Sequence, residues 1–124
     1  MQGNPYQVYK QQSIMTMTQG EMLHKLYEEV VKQLRCAEIF IEEKDYGKTN
    51  EALQKAQRIL NHLKATLNHQ YEISNNLAAL YDYFIQQIVL ANIRKDAAPI
   101  REVAPMIQEL EDAFTQADKL ARIS

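Results

Sequence analysis

Four stretches of this chain place apolar residues at alternating steps of three and four, and that periodicity restricts the fold to packed helices. Only a 3.6-residue turn gathers such positions onto one face. The first stretch runs through Leu23, Leu26, Tyr27, Val30, Leu34, Ala37 and Ile41. Thr18 with Glu21 three residues on has the form of a capping box and predicts a helix start near Thr18. The stripe ends at Glu42-Glu43-Lys44, and Asp45 is expected to cap the second helix. That helix carries Leu53, Ala56, Leu60, Leu63 and Leu67. The pattern stops over 68–75, where Ser74 or the adjacent asparagines are expected to cap a third helix.

The third helix has two stripes. One runs through Ile73, Leu77, Leu80, Phe84, Ile88 and Ala91, the other through Ala78, Tyr81, Ile85 and Val89. A helix apolar over so much of its circumference is either the most buried of the set or faces core on one side and a groove on the other. Asp96 is expected to cap the fourth helix, with Pro99 in its first turn. Its stripe is Ile100, Val103, Ile107, Leu110, Phe114, Ala117 and Ala121. Pro105 lies inside it and predicts a kink or a restart, because proline removes a hydrogen bond and clashes with the preceding turn. The stripe keeps its phase across Pro105, which favours the kink.

Helices of roughly 20–25 residues, about 30–38 Å long, joined by short connectors must run antiparallel to their neighbours. The expected fold is all-α, an antiparallel up-down-up-down four-helix bundle in a single domain over 17–124. Residues 1–16 stand apart as an N-terminal arm or cap helix. Tyr6, Val8, Tyr9, Ile14 and Met15 sit there among Gln, Lys and Ser, too few to form a core of their own.

Composition narrows the function. Three glycines and three prolines in 124 residues fit long helices. The net charge is −2 with both signs mixed along the chain, so no cationic surface faces phosphates and nucleic acid is an unexpected partner. The single cysteine, Cys36, cannot form an intramolecular disulfide and sits in a helical pattern, as a packed residue of a reducing compartment would. No signal-peptide pattern opens the chain, no apolar run reaches the roughly 18 residues needed to cross a bilayer, and the polar faces lack the cationic bias of a membrane-surface helix. A cytoplasmic protein is expected.

Catalytic and metal chemistry find little support. A carboxylate-bridged metal in a bundle needs Glu-x-x-His from two helices. Glu21-Met22-Leu23-His24 supplies it once, whereas His62 and His69 follow Ile59 and Thr66 at that spacing. There is no Gly-x-Ser-x-Gly elbow, no phosphate loop and no evident partner to activate Cys36. Asp82, between the two stripes of the third helix, reads as a solvated or salt-bridged carboxylate. The expectation is no enzyme, no cofactor and no metal.

Several blocks of sequence carry a resemblance. Asn75-Asn76-Leu77-Ala78-Ala79-Leu80-Tyr81-Asp82-Tyr83, then Ala91-Asn92-Ile93-Arg94-Lys95-Asp96, closely resembles the third-helix signature of the flagellin export chaperone family, FliS. Asn4-Pro5-Tyr6-Gln7-Val8-Tyr9 is similar to the family's N-terminal Tyr-x-x-Tyr arm, and Leu26-Tyr27-Glu28 to its Leu-Tyr-Asp. Lys55 to Leu60 with Thr66-Leu67-Asn68, and Glu102-Val103 through Phe114, resemble the second- and fourth-helix blocks. Gln19 replaces the usual proline before the Gly-Glu of the first helix, Phe114 replaces a common tryptophan, and Pro105 is foreign to the family pattern.

The resemblance implies a monomer or weak homodimer that binds the disordered C-terminal segment of flagellin in the cytoplasm. It further implies that the chain blocks premature polymerisation and helps deliver flagellin to the flagellar type III export gate. The residues expected to meet flagellin are Tyr6 and Tyr9 on the arm, and Tyr27, Tyr81, Ile85, Val89 and Asn92 on the bundle. Each has a structural alternative: the arm as a permanent lid, the bundle residues as core. The competing function is a structural or regulatory helical module that binds some other helical partner.

Overall fold

A computed structural model describes residues 19–123, with side chains through Leu120. They form four helices and, among the described residues, no strand: α1 (Gln19–Glu42), α2 (Tyr46–Ala65), α3 (Glu72–Arg94) and α4 (Ala98–Ile123). Helix α1 packs on α2 and α4, and α3 on α2 and α4, so the four stand at the corners of a square with α1 and α3 on one diagonal. This is the expected antiparallel bundle. The arm over 1–16, and Thr18 of the expected capping box, lie outside the described residues.

The core is the inner stripe of each helix: Tyr27, Val30, Leu34 and Ala37 from α1, with Leu53, Ala56, Leu60 and Leu63 from α2. From α3 come Leu77, Tyr81, Phe84, Ile88 and Ala91, and from α4 Ile100, Val103, Ala104 and Ile107. Burial of this kind stabilises by about 25 cal/mol per Å² of apolar surface and is the main term holding short-connected helices together.

Turn chemistry explains the corners. Helix α1 closes in a Schellman motif: Asp45 N donates to the Phe40 carbonyl at 2.9 Å and Lys44 N to that of Ile41 at 3.0 Å. Lys44 pays for it with φ 60°, the left-handed region that glycine normally fills. Lys95, at φ 51°, does the same after α3, where Asp96 N donates to the Ala91 carbonyl at 3.1 Å. Asp45 caps α2 as expected, its Oδ1 accepting from Lys48 N at 3.2 Å. Asp96 Oδ1 accepts from Ala98 N at 2.9 Å at the start of α4, whose first turn contains a buried Pro99.

Three local expectations are corrected. Ser74 does not cap α3: the helix starts earlier, Tyr71 holds the cap position without a side-chain bond, and Ser74 Oγ donates to the Asn68 carbonyl at 2.6 Å. Ile73 leaves its stripe and is 60% exposed, because the inward face of α3 runs through Ser74, Leu77 and Tyr81 instead. Ala117 is exposed, so the buried stripe of α4 stops short of it. Of the two readings of Pro105 only the restart is excluded: α4 is one helix through it. Pro105 and Arg101 both face solvent, where water can take the Arg101 carbonyl that loses its helical partner.

Candidate functional site

Two grooves flank helix α3, and the helices on either side give them different characters. Between α3 and α4, Leu80, Phe84, Met106, Glu109 and Leu110 line an open apolar groove of about 200 Å³. The spacing of Met106 and Leu110 on α4, and of Leu80 and Phe84 on α3, puts each pair one turn apart along the groove. At its α4 N-terminal end the Tyr83 hydroxyl donates to the Glu102 carboxylate, which raises the Tyr83 phenol above its ordinary range.

Between α2 and α3 the surface is amide-rich. Gln54, Gln57, Val89, Asn92, Ile93 and Lys95 line a shallow pocket of about 270 Å³. Asn92 Nδ2 donates to Asn50 Oδ1 at 2.9 Å, while the Lys95 ammonium donates to Asn92 Oδ1 and, at 2.7 Å, to the Asn92 carbonyl. Val89 and the 76% exposed Ile93 supply the apolar part of this wall. Farther along the same seam Lys64 pairs with Asp82, the salt-bridged role expected of that carboxylate.

The sequence-derived site residues separate into three groups. Ile85 is half-buried against the core, and Val89 and Asn92 lie on the α2–α3 wall. Tyr6 and Tyr9 are outside the described residues. Tyr27 and Tyr81 are corrected from surface to core: they are 0% and 2% exposed, and their hydroxyls hydrogen-bond to each other. Burial is the main reason both phenols are raised above their ordinary range, with the shared hydrogen bond pushing Tyr27 further up. Tyr27 also stacks on Phe114, ring centroids 5.8 Å apart, so the aromatic at that position anchors α4 to α1. Asn92 is corrected in one respect. Its amide is not free to receive a peptide, being engaged by Asn50 and Lys95.

Sequence reasoning missed the α3–α4 groove. The periodicity places Leu80 in the inward stripe and Met106 in no stripe at all. The available signal was the pair Met106 and Leu110 one turn apart beside the inward Val103 and Ile107, a second apolar edge on α4.

Away from these grooves, His24 and Glu28 of α1 face Glu111 of α4. His24 Nε2 lies 3.5 Å from Glu28 Oε2, and His24 Nδ1 lies 3.2 Å from Glu111 Oε1 and 3.1 Å from Thr115 Oγ1. Glu111 is buried at a position where the α4 stripe would otherwise be apolar. Burial raises its carboxyl above the usual carboxylate range; His24 opposes that shift, and Glu28 and Asp112 add to it. One turn before His24 on α1, Gly20 lies so close to the Asp118 carboxylate that a Cβ there would clash with it. Glycine lets α4 approach the first turn of α1.

No helix among the described residues is long and apolar enough to cross a membrane. Comparison with known proteins agrees with the fold and the sequence blocks. The family model for the flagellar protein FliS matches residues 2–121. The flagellar secretion chaperone FliS of Bacillus subtilis is 40% identical over 114 residues, covering 92% of this chain and 86% of that protein. Its counterpart in Salmonella typhimurium is 34% identical over 113 residues, covering 89% and 84%. A crystal structure of a bacterial flagellar chaperone superposes with a TM-score of 0.78 at 26% identity, covering 92% of this chain and 94% of that one. The match extends over nearly the whole chain in sequence and in structure, and the chain belongs to the FliS family of flagellar secretion chaperones, a family of chaperones and not of enzymes.

Proposed function

We propose that this chain is a cytoplasmic chaperone that binds the disordered C-terminal segment of flagellin, prevents its premature polymerisation and helps deliver it to the flagellar type III export apparatus. Family membership supports the chaperone role. The structural observation that supports the choice of surface is the pair of grooves flanking α3, one apolar and one amide-rich. A segment that folds on binding carries apolar anchors at i, i+3, i+4 and i+7 and suits the Leu80, Met106 and Leu110 side. A portion that stays extended has backbone amides to satisfy and suits Asn50, Gln54, Gln57 and Asn92 once the internal amide bonds exchange.

Ile85, Val89 and Asn92 are the bundle residues we place in contact with flagellin, with Tyr6 and Tyr9 contributing from the arm. Tyr27 and Tyr81 act from beneath, fixing the spacing of α1, α3 and α4. Wrapping a disordered segment over both grooves covers a large surface at the cost of ordering it, which suits a partner that must later be released to an export gate component. The working state is a monomer or weak homodimer.

Calorimetric titration with a peptide of the flagellin C-terminal segment tests this reading: saturable 1:1 binding is expected. A pull-down with full-length flagellin and with flagellin lacking that segment separates it from a helical module with another target. Undiminished capture of the truncated flagellin contradicts the proposal.

A further inference from the structure

We propose that His24, Glu28 and Glu111 form a binding site for a divalent transition-metal cation of the zinc class, clamping α1 to α4. One donor atom from each of the three lies within 4.8 Å of the other two. Donors bound about 2.0–2.2 Å from a tetrahedral ion stand about 3.3–3.5 Å apart, and the His24 Nδ1–Glu111 Oε1 separation is already 3.2 Å. Glu28 Oε2 now faces the other ring nitrogen, Nε2, at 3.5 Å, and as an exposed side chain at the rim it turns toward Nδ1 to complete the set.

The placement of the three residues is what spacing in the sequence could not reveal. The diiron-type pattern demands a second Glu-x-x-His, which this chain lacks. Here the histidine is joined instead by a carboxylate one turn farther along its own helix and by one from a helix 87 positions away in sequence (111 − 24). Glu28 at i+4 shares a face with His24, and Glu111 arrives across the α1–α4 seam.

A second observation singles the cluster out from ordinary surface acids. Glu111 is 5% exposed and continues the inward stripe of Val103 and Ile107, so its carboxylate is largely shielded from water. Its close partners are the His24 ring and Gln108 Nε2, which donates at 3.1 Å. With a neutral imidazole the set carries two negative charges, and a dication balances them. The ligand types select the metal: imidazole with two carboxylates suits zinc-class ions, whereas magnesium and calcium require about six or more oxygen donors. The positions left open on the ion go to water, since the pocket beside His24, lined by Gly20, Glu21, Lys25, Thr115 and Asp118, opens to solvent. Lys25 Nζ, 3.5 Å from Glu28 Oε1, faces the outer edge of the cluster and leaves Oε2 toward His24.

The test uses the full chain, stripped with chelator and titrated calorimetrically with zinc at pH 7.5. Cobalt(II) absorption provides a direct report of the coordination shell. The expected result is one ion per chain with Kd on the order of 10 µM or tighter, and a Tm rise of several degrees at saturating zinc. His24→Gln and Glu111→Gln, whose folding is checked by circular dichroism, should each weaken binding at least about tenfold and abolish the zinc-dependent rise in Tm. His62→Gln, outside the cluster, should bind as the parent does. Absence of stoichiometric zinc binding overturns the proposal. So does binding that survives both His24→Gln and Glu111→Gln, which marks an adventitious ion only.

Discussion

Tyr27 and Tyr81, on diagonally opposed helices, share a hydrogen bond between their hydroxyls in the buried core, with ring centroids 6.4 Å apart. Neither phenol has lost its polar partner on burial, and no described side-chain donor or acceptor is buried without one. Phe114 stacked on Tyr27 extends the chain of contacts to α4. Three of the four helices are therefore held by one aromatic set.

That arrangement predicts a non-additive mutant cycle. Tyr27→Phe or Tyr81→Phe alone strands the other hydroxyl in the core, at a cost of about 1–3 kcal/mol. The double variant strands neither, and should be less destabilised than the sum of the singles by at least about 1 kcal/mol. Chemical denaturation of the four proteins measures the coupling; additive singles would contradict a paired core hydroxyl.

The same pair sets a response to alkali. Burial raises both folded-state phenols above the ordinary value of about 10. A raised folded value means the folded chain keeps its protons while the unfolded chain releases them. The stability these groups contribute is thus fully present below about pH 10 and declines as pH rises past it, by up to about 1.4 kcal/mol per pH unit for each phenol. Denaturation between pH 8 and 11 should show a steeper loss in the parent than in Tyr27→Phe/Tyr81→Phe. Lysine titration is common to both proteins and cancels in the comparison.

Two lysines in left-handed backbone predict different outcomes for one substitution. Lys44 is exposed at the α1–α2 corner, and Lys44→Gly removes the steric cost of φ 60°, so a gain of about 0.5–1 kcal/mol is expected. Lys95→Gly relieves the same kind of strain but deletes the ammonium that holds Asn92. Its net effect on thermal stability should be smaller than that of Lys44→Gly, or negative.

The bundle itself was legible because stripes such as Leu53, Ala56, Leu60 and Leu63 repeat at one helical period and admit one inward face. Asp45 and Asp96 were legible as caps because a short carboxylate before a periodic run has few other uses. On α3 periodicity alone is ambiguous. With apolar residues at 77, 78, 80, 81, 84 and 85, the period fits two faces, and only the tyrosine waiting on α1 decides that Tyr81 points inward. The partner of a buried polar group is a tertiary fact. The same reason hid the meeting of Glu111 with His24, and hid the groove, which exists only once α3 and α4 are set side by side.

The groove gives the prediction closest to function. Met106 is half-buried on the apolar side of α3, and Val89 is half-buried on the amide-rich side. A charge placed at either position sits at the rim of the bundle, so Met106→Asp and Val89→Lys should retain helical content and a cooperative unfolding transition. Each nevertheless puts a desolvated charge beneath any bound apolar segment, and a loss of about 1.4 kcal/mol in binding is a factor of ten in Kd. Titration of each variant with the flagellin C-terminal peptide should therefore show at least about a tenfold weaker Kd. Ile39→Asp replaces a 54% exposed apolar residue on α1 outside both grooves and should bind as the parent does. Loss in Ile39→Asp equal to that in the groove variants would shift the contact surface off α3. Loss in Met106→Asp alone would assign the peptide to the α3–α4 groove and leave the amide wall to another part of flagellin.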